Sequence, residues 1–238
     1  DRNLRFVIKM PSICFYFKVH QPFRVKYYTV FDIGNDGNYF DDERNRAYLE
    51  RIANKCYIPT LNLIYELIKE TNFRFKVSFG ITGTLIEQLK LWRPEVIELF
   101  KKVASTGCVE FTGETYFHSL ACLYSKEEFI QQVNMHKNLI KETFNQIPVV
   151  FSNTELIYFD DLEDILYELG FKGIITEGVD WILGWRSSNF VYQAPKGKLK
   201  ILLRNYKLSD DISFRFSSRD WDQWPLTADK FAYWVSQF

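Results

Sequence analysis

The sequence predicts an α/β fold built on parallel strands, from three observations. Short apolar segments alternate with amphipathic helical ones, and that order implies parallel strands joined by right-handed crossovers. The strand candidates are apolar without polar alternation, which suits burial on both faces. Polar residues of chemical interest gather just after the strands: His20 and Gln21, Glu114, Glu155, Glu177, and Asp210 with Asp211. A barrel puts functional groups at such C-terminal strand ends, and so does an open doubly wound sheet, so the pattern fits both.

The elements follow in order. Residues 13–17 are rich in β-formers and run up to His20-Gln21-Pro22, which reads as a buried strand stopped by proline. Gly34, Asn35, Asp36, Gly37 and Asn38 mark residues 29–46 as a loop. Leu61, Ile64, Tyr65 and Ile68 recur at helical spacing behind Pro59, predicting a helix over 58–68. A second strand covers 75–81, and Gly80 and Gly83 break it. Val96, Ile97, Phe100 and Val103 predict a helix over 94–104, closed by Gly107. The third strand is 108–111. Ser125 and Glu128 have the spacing of a capping box and open a helix to 144. Strands at 149–151, 173–176 and 200–203 follow, with a helix at 161–169 ended by Gly170. Pro225 leads into a last helix over 227–235. This gives six strands in one domain over 10–238. A closed barrel needs at least one more, so the expectation is a barrel incomplete at its C-terminus. Residues 1–9 precede Met10 and are set apart as a non-native or truncated leader.

Composition narrows the function classes. Thirty Lys and Arg balance thirty Asp and Glu, which argues against a nucleic-acid partner held by a broad basic surface. No apolar run approaches the roughly 20 residues of a spanning helix, so no membrane partner is expected. Cys14, Cys56, Cys108 and Cys122 form no Cys-x-x-Cys pair. They read as buried free thiols of a reducing, cytoplasmic compartment rather than disulfides or a zinc site. Phosphate loops, dinucleotide fingerprints and nucleophile elbows are missing from the sequence. His20, His118 and His136 lie far apart, and His136, inside the 126–144 helix, reads as a solvated or core-edge side chain. No metal or other cofactor is predicted.

What remains is carboxylates and aromatics. Aromatic residues are 18% of the chain, enough for a large core and an aromatic-lined cleft. Glu155 sits between apolar residues just past the fourth strand, so it should be partly desolvated, with a neighbour holding it ionised. Asp210 and Asp211 are adjacent and must point different ways, so at most one enters a given pocket. Glu110, Glu114 and His118 lie at and after the third strand. The Trp221-Asp222-Gln223-Trp224 loop, with Trp234 nearby in sequence, reads as core or as a platform for sugar rings. Paired carboxylates with aromatics suit glycoside cleavage. One carboxylate attacks the anomeric carbon, the other protonates the leaving oxygen, and retention places them about 5–5.5 Å apart.

Four segments resemble glycoside hydrolase family 57, in its α-amylase-like branch. Phe17-Lys18-Val19-His20-Gln21-Pro22-Phe23 is similar to the opening strand motif, and residues 107–118 to the second conserved region. Residues 151–158, Phe-Ser-Asn-Thr-Glu-Leu-Ile-Tyr, are similar to the nucleophile segment, and residues 208–216 to a stretch of the amylase-like branch. The resemblance implies a (β/α)7 barrel acting with retention on α-1,4-glucans such as starch, glycogen or maltooligosaccharides. It carries the nucleophile role onto Glu155, makes His20 line the neighbouring subsite, and puts Glu114 and His118 at the pocket mouth. Gln21 and Trp221 join them as substrate-binding expectations. The family's general acid lies in an Asp-x-Glu-x-Phe-Gly segment that these residues lack, and Asp211 is the best candidate within the chain. A glucan-binding protein without turnover and a polysaccharide deacetylase are the alternatives. The deacetylase would need an Asp pair at the first strand, which ends here in His-Gln-Pro.

Overall fold

The structure is a computed structural model that describes residues 12–35 and 37–237. The 1–9 leader and Met10 lie outside the described residues. The chain forms two compact units, Asp1–Phe111 and Thr112–Phe238.

The first unit carries β1 (Phe15–Val19), α1 (Asp42–Ile52), α2 (Ile58–Glu70), β2 (Val77–Ile81), α3 (Gly83–Trp92), α4 (Pro94–Ala104) and β3 (Val109–Phe111). Its three strands are parallel in the order β1-β2-β3. The centre is apolar: Phe79 meets Phe100 edge to face at 5.4 Å, and Leu61, Ile68, Leu85, Leu89 and Phe111 are buried. Pro59 lies in the first turn of α2 directly after the π-helical turn 53–57, where its missing N–H leaves one bond of the continuous helical run unmade.

Three expectations need correction here. Residues 29–46 are not all loop, because α1 starts at Asp42 with the Asp41 side chain accepting from Arg44 N. Only Asn45 and Leu49 of α1 are buried, so its apolar stripe is too thin to read. Gly83 does not end structure but begins α3, with the Thr82 side chain capping Leu85 N. At a helix start, glycine costs little. β1 is not buried on both faces: Phe15 and Phe17 are 39% and 38% exposed. It is an end strand of its sheet, bonded to β2 alone among the described strands.

The second unit carries α5 (Lys126–Phe144), β4 (Val150–Ser152), α6 (Leu162–Glu168), β5 (Gly173–Glu177), α7 (Asp180–Leu183), β6 (Val191–Gln193), β7 (Lys200–Arg204), α8 (Tyr206–Asp210) and α9 (Ala228–Val235). The strand order is β4-β5-β7-β6. β4, β5 and β7 are parallel, and β6 folds back antiparallel on β7. That short, largely exposed strand makes seven among the described residues where the sequence predicts six. Phe129, Phe151, Phe171, Leu162, Leu166 and Ile174 form the core, with Phe151 edge to face on Phe171 at 5.2 Å. Gly113 lies beside this stack, where an added Cβ would meet Phe171 ring atoms at 2.5 Å.

Ser125 caps α5 by accepting from Glu128 N, while the Glu128 carboxylate accepts from Gln132 Nε2 at 2.7 Å. His136 is fully buried, against the solvated reading. All four cysteines are free, but Cys14 and Cys56 are exposed, against the expectation of buried thiols. Both lie on elements with solvent-facing sides, the approach to β1 and the π-helical turn 53–57 between α1 and α2. Among the described residues, no helix is long and apolar enough to cross a membrane. The fold class is α/β with parallel sheets, as the alternation predicts.

Candidate functional site

The turn after β4 carries the distinctive geometry. Asn153 leaves the strand extended and caps a single 3-10 turn, Thr154–Leu156. Within it Glu155 has φ 53° and ψ 22°, and Leu156 has φ 55°. Left-handed backbone costs a non-glycine residue roughly 1–2 kcal/mol, and it persists only where the surroundings over-determine it. Four contacts do so here. Asn153 Oδ1 accepts from Thr154 N at 3.0 Å, and Asn153 Nδ2 donates to Ile157 O at 3.0 Å. Thr176 Oγ1, on β5, donates to Leu156 O at 2.6 Å. Thr154 Oγ1 lies 3.1 Å from Thr115 Oγ1.

The Thr115 contact ties the turn to the segment after Gly113. Ser119 N donates to Thr115 Oγ1 at 2.9 Å, and Ser119 Oγ donates to Gln132 of α5 at 2.8 Å. His118, in the same bend, also has left-handed backbone with φ 56°. Its Nε2 stands 3.5 Å from Glu155 Oε1, and its Nδ1 stands 3.9 Å from Oε2 of fully buried Glu114. The imidazole thus lies between a buried carboxylate and an exposed one. These separations exceed a direct hydrogen bond and suit an electrostatic or water-bridged contact.

The structure corrects one expectation at this point. Glu155 is not desolvated, since its side chain is 74% exposed. The turn lifts it clear of the apolar residues that flank it in sequence. Chemically, the arrangement presents to solvent a carboxylate on a braced backbone, faced by an imidazole that a second, buried carboxylate attends.

The other predicted residues have different surroundings. In the first unit, His20 Nδ1 lies 2.9 Å from Thr82 Oγ1. Gln21 O accepts from Gln88 Nε2, and its side chain accepts from Arg24. Burial pushes the nearby Tyr57 phenol up to about 12, against the pull of its bond to Gln21. In the second unit, Glu177 and Asp210 both pair with Arg204, a cation the sequence reading did not single out, at 2.7 and 2.9 Å. Asp211 pairs with Arg215, whose guanidinium also stands 5.9 Å from the Trp221 ring. The adjacent acids therefore do diverge. Trp221 packs edge to face on Trp234 at 5.9 Å. No hydrogen bond or ion pair joins Asp211 to Glu155. The most exposed tryptophans are Trp181 and Trp185, 84% and 95%, in the β5–β6 connection. In the sequence they stand among the turn-forming residues Gly178, Gly184, Ser187, Ser188 and Asn189. Among the described residues, no group of three His, Cys, Asp or Glu side chains is arranged to hold a metal ion.

Comparison with known proteins adds the following. The family model described as glycosyl hydrolase family 57 matches residues 14–238. A curated Methanocaldococcus jannaschii protein named "Putative alpha-amylase" is 51% identical over 230 residues, which cover 94% of this chain and 48% of the relative. The crystal structure of a 4-alpha-glucanotransferase from Thermococcus litoralis superposes with a TM-score of 0.65 at 20% identity, over 85% of this chain and 29% of that one. A family 57 branching enzyme from Pyrococcus horikoshii gives 0.60 at 16% identity, over 82% and 47%. The chain thus spans about half the length of the M. jannaschii relative, and the structural likenesses show a fold shared with these enzymes.

Proposed function

Because the chain belongs to glycosyl hydrolase family 57, we propose that it cleaves α-1,4-glucans by a retaining double displacement in which Glu155 is the nucleophile. The substrates would be starch, glycogen or maltooligosaccharides. One Glu155 oxygen attacks the anomeric carbon as the bond to the leaving sugar oxygen breaks, and an acid protonates that oxygen. Water, or a hydroxyl of another sugar, then displaces Glu155 and restores the original anomer. Water gives hydrolysis, and a sugar hydroxyl gives transfer.

The observation that carries this reading is the strained turn. His118, Glu155 and Leu156 account for half of the described non-glycine residues with left-handed backbone. The other three, Asn72, Phe73 and Asn145, follow helix ends, where such geometry is ordinary. Strain of this kind gathers where function needs a fixed side chain. His118 is proposed to orient Glu155, with Glu114 orienting His118 in turn. Asp211, engaged by Arg215, suits a structural or substrate-binding part. These 238 residues hold no Asp-x-Glu-x-Phe-Gly segment of the kind from which the family resemblance draws its proton donor. His20, Gln21 and Trp221 are proposed substrate-binding groups. The balanced charge and the four free thiols support a cytoplasmic protein without a nucleic-acid partner.

The test is proton NMR of the first product formed from maltooligosaccharide by the intact protein, with Glu155→Gln as control. An α-anomer from the parent and no product from the variant are expected. Undiminished turnover by Glu155→Gln would refute the reading. Glucan binding without product from either protein would favour a binding role.

A further inference from the structure

The turn that carries Glu155 is held by two side chains with no role in bond making. Asn153 is 2% exposed and Thr176 is 4% exposed. Their donors take consecutive carbonyls just past the nucleophile: Thr176 Oγ1 bonds Leu156 O, and Asn153 Nδ2 bonds Ile157 O. The main chain closes the same turn, with Leu156 N donating to Asn153 O and Ile157 N to Thr154 O. The anchors differ in kind. Thr176 stands on a central strand of its sheet, bonded to β4 on one side and β7 on the other. Asn153 is fixed at the end of β4, and its amide also reaches Cys122 Sγ at 3.3 Å.

We infer that Asn153 and Thr176 are positioning residues that clamp Leu156 and Ile157 and so hold Glu155 in the left-handed geometry from which its carboxylate reaches the anomeric carbon. The inference rests on the nucleophile reading of Glu155 and goes beyond it. Two adjacent left-handed residues relax toward ordinary backbone once either carbonyl is released, because nothing intrinsic to Glu or Leu favours that region. Relaxation swings the exposed Glu155 side chain while the sheet beneath stays in place. Substrate recognition by other groups then survives, but the attacking oxygen is displaced. A misplacement of about 1 Å is enough to cost on the order of a hundredfold in rate.

The experiment measures kcat and KM of the intact protein on a maltooligosaccharide for Asn153→Asp, Thr176→Val, Thr176→Ser and Glu155→Gln, with a thermal melt of each. Asn153→Asp keeps the acceptor for Thr154 N and removes the donor to Ile157 O. Thr176→Val removes the hydroxyl at constant shape, and Thr176→Ser restores it. Expected are kcat at least tenfold lower in the first two, KM within twofold of the parent, and recovery to within threefold in Thr176→Ser. A merely structural role would lower the melting temperature without this split and without serine rescue. Parent-like kcat in folded Asn153→Asp and Thr176→Val, with Glu155→Gln inactive, overturns the clamp and leaves the nucleophile standing. Parent-like kcat in Glu155→Gln overturns the nucleophile reading itself. Should Asn153→Asp fail to fold, the Thr176→Val and Thr176→Ser pair decides by the same criteria.

Discussion

Replacing Glu155 with glycine should stabilise the protein relative to replacing it with alanine, while both abolish turnover. Glu155 has φ 53°, and an L-residue there carries roughly 1–2 kcal/mol of steric cost. Glycine escapes that cost but gives up roughly 0.5–1 kcal/mol in backbone entropy. The net advantage of glycine over alanine is about 1 kcal/mol. Truncation itself removes little, because the side chain is 74% exposed and its ion contact is to His118 at 3.5 Å. In a chain of this size, 1 kcal/mol corresponds to about 2–4 °C in melting temperature. The assay is differential scanning calorimetry of parent, Glu155→Gly, Glu155→Ala and Glu155→Asn, each also assayed on maltooligosaccharide. The glycine variant should melt highest of the three substitutions and asparagine next, since Asn tolerates left-handed backbone better than alanine does. A glycine variant melting at or below the alanine one would refute the claim that strain is stored at this residue.

Substitutions elsewhere in the second unit have equally defined outcomes. Gly113→Ala drives a methyl group to 2.5 Å from the Phe171 ring, so it should cost about 1–3 kcal/mol. Phe171→Leu in the same chain should recover part of that loss in a denaturant titration, and purely additive destabilisation would contradict the packing argument. Buried Glu163 accepts from Lys196 N at 2.8 Å and Lys198 N at 2.7 Å, holding the β6–β7 turn. Glu163→Ala should cost about 3 kcal/mol, or roughly 6–12 °C; a drop under about 2 °C would show the turn closes without the carboxylate. Bonds from Lys196 and Lys198 hold the Asp164 carboxyl at about 2, below its ordinary value. A depressed carboxylate contributes stability above its unfolded pKa, and that contribution is lost as pH falls toward the folded value. The melting curves of parent and Asp164→Asn should therefore differ near pH 7 and converge by about pH 2. A constant gap across that range would contradict the ion pairs.

The sequence reveals what periodicity and punctuation can carry. The 94–104 helix stands out because Val96, Ile97, Phe100 and Val103 share one stripe, and all four are buried. The 126–144 helix likewise runs from a serine cap to Phe144. α1 buries two residues and β6 is three residues long, so neither shows such a stripe; α3 does bury Leu85, Ile86 and Leu89, but it begins on a glycine that reads as a breaker. The site was legible in part. Local pattern locates Glu155 at a strand end but says nothing of φ, so neither its exposure nor its strain follows from the flanking apolar residues. The approach of His118 to Glu155, 37 positions apart, comes from the crossover that returns the chain to β4. Arg204, which gathers Glu177 and Asp210, was hidden because an arginine at a strand end looks like any solvated cation.

The most direct measurement is covalent capture of the nucleophile. The intact protein is treated with a fluorinated α-glucosyl fluoride, whose fluorine slows breakdown of the glycosyl-enzyme, and its peptides are mapped by mass spectrometry. One glycosyl adduct is expected, on Glu155, and none in Glu155→Gln. A stable adduct on another carboxylate, or label retained by Glu155→Gln, would contradict the nucleophile role of Glu155.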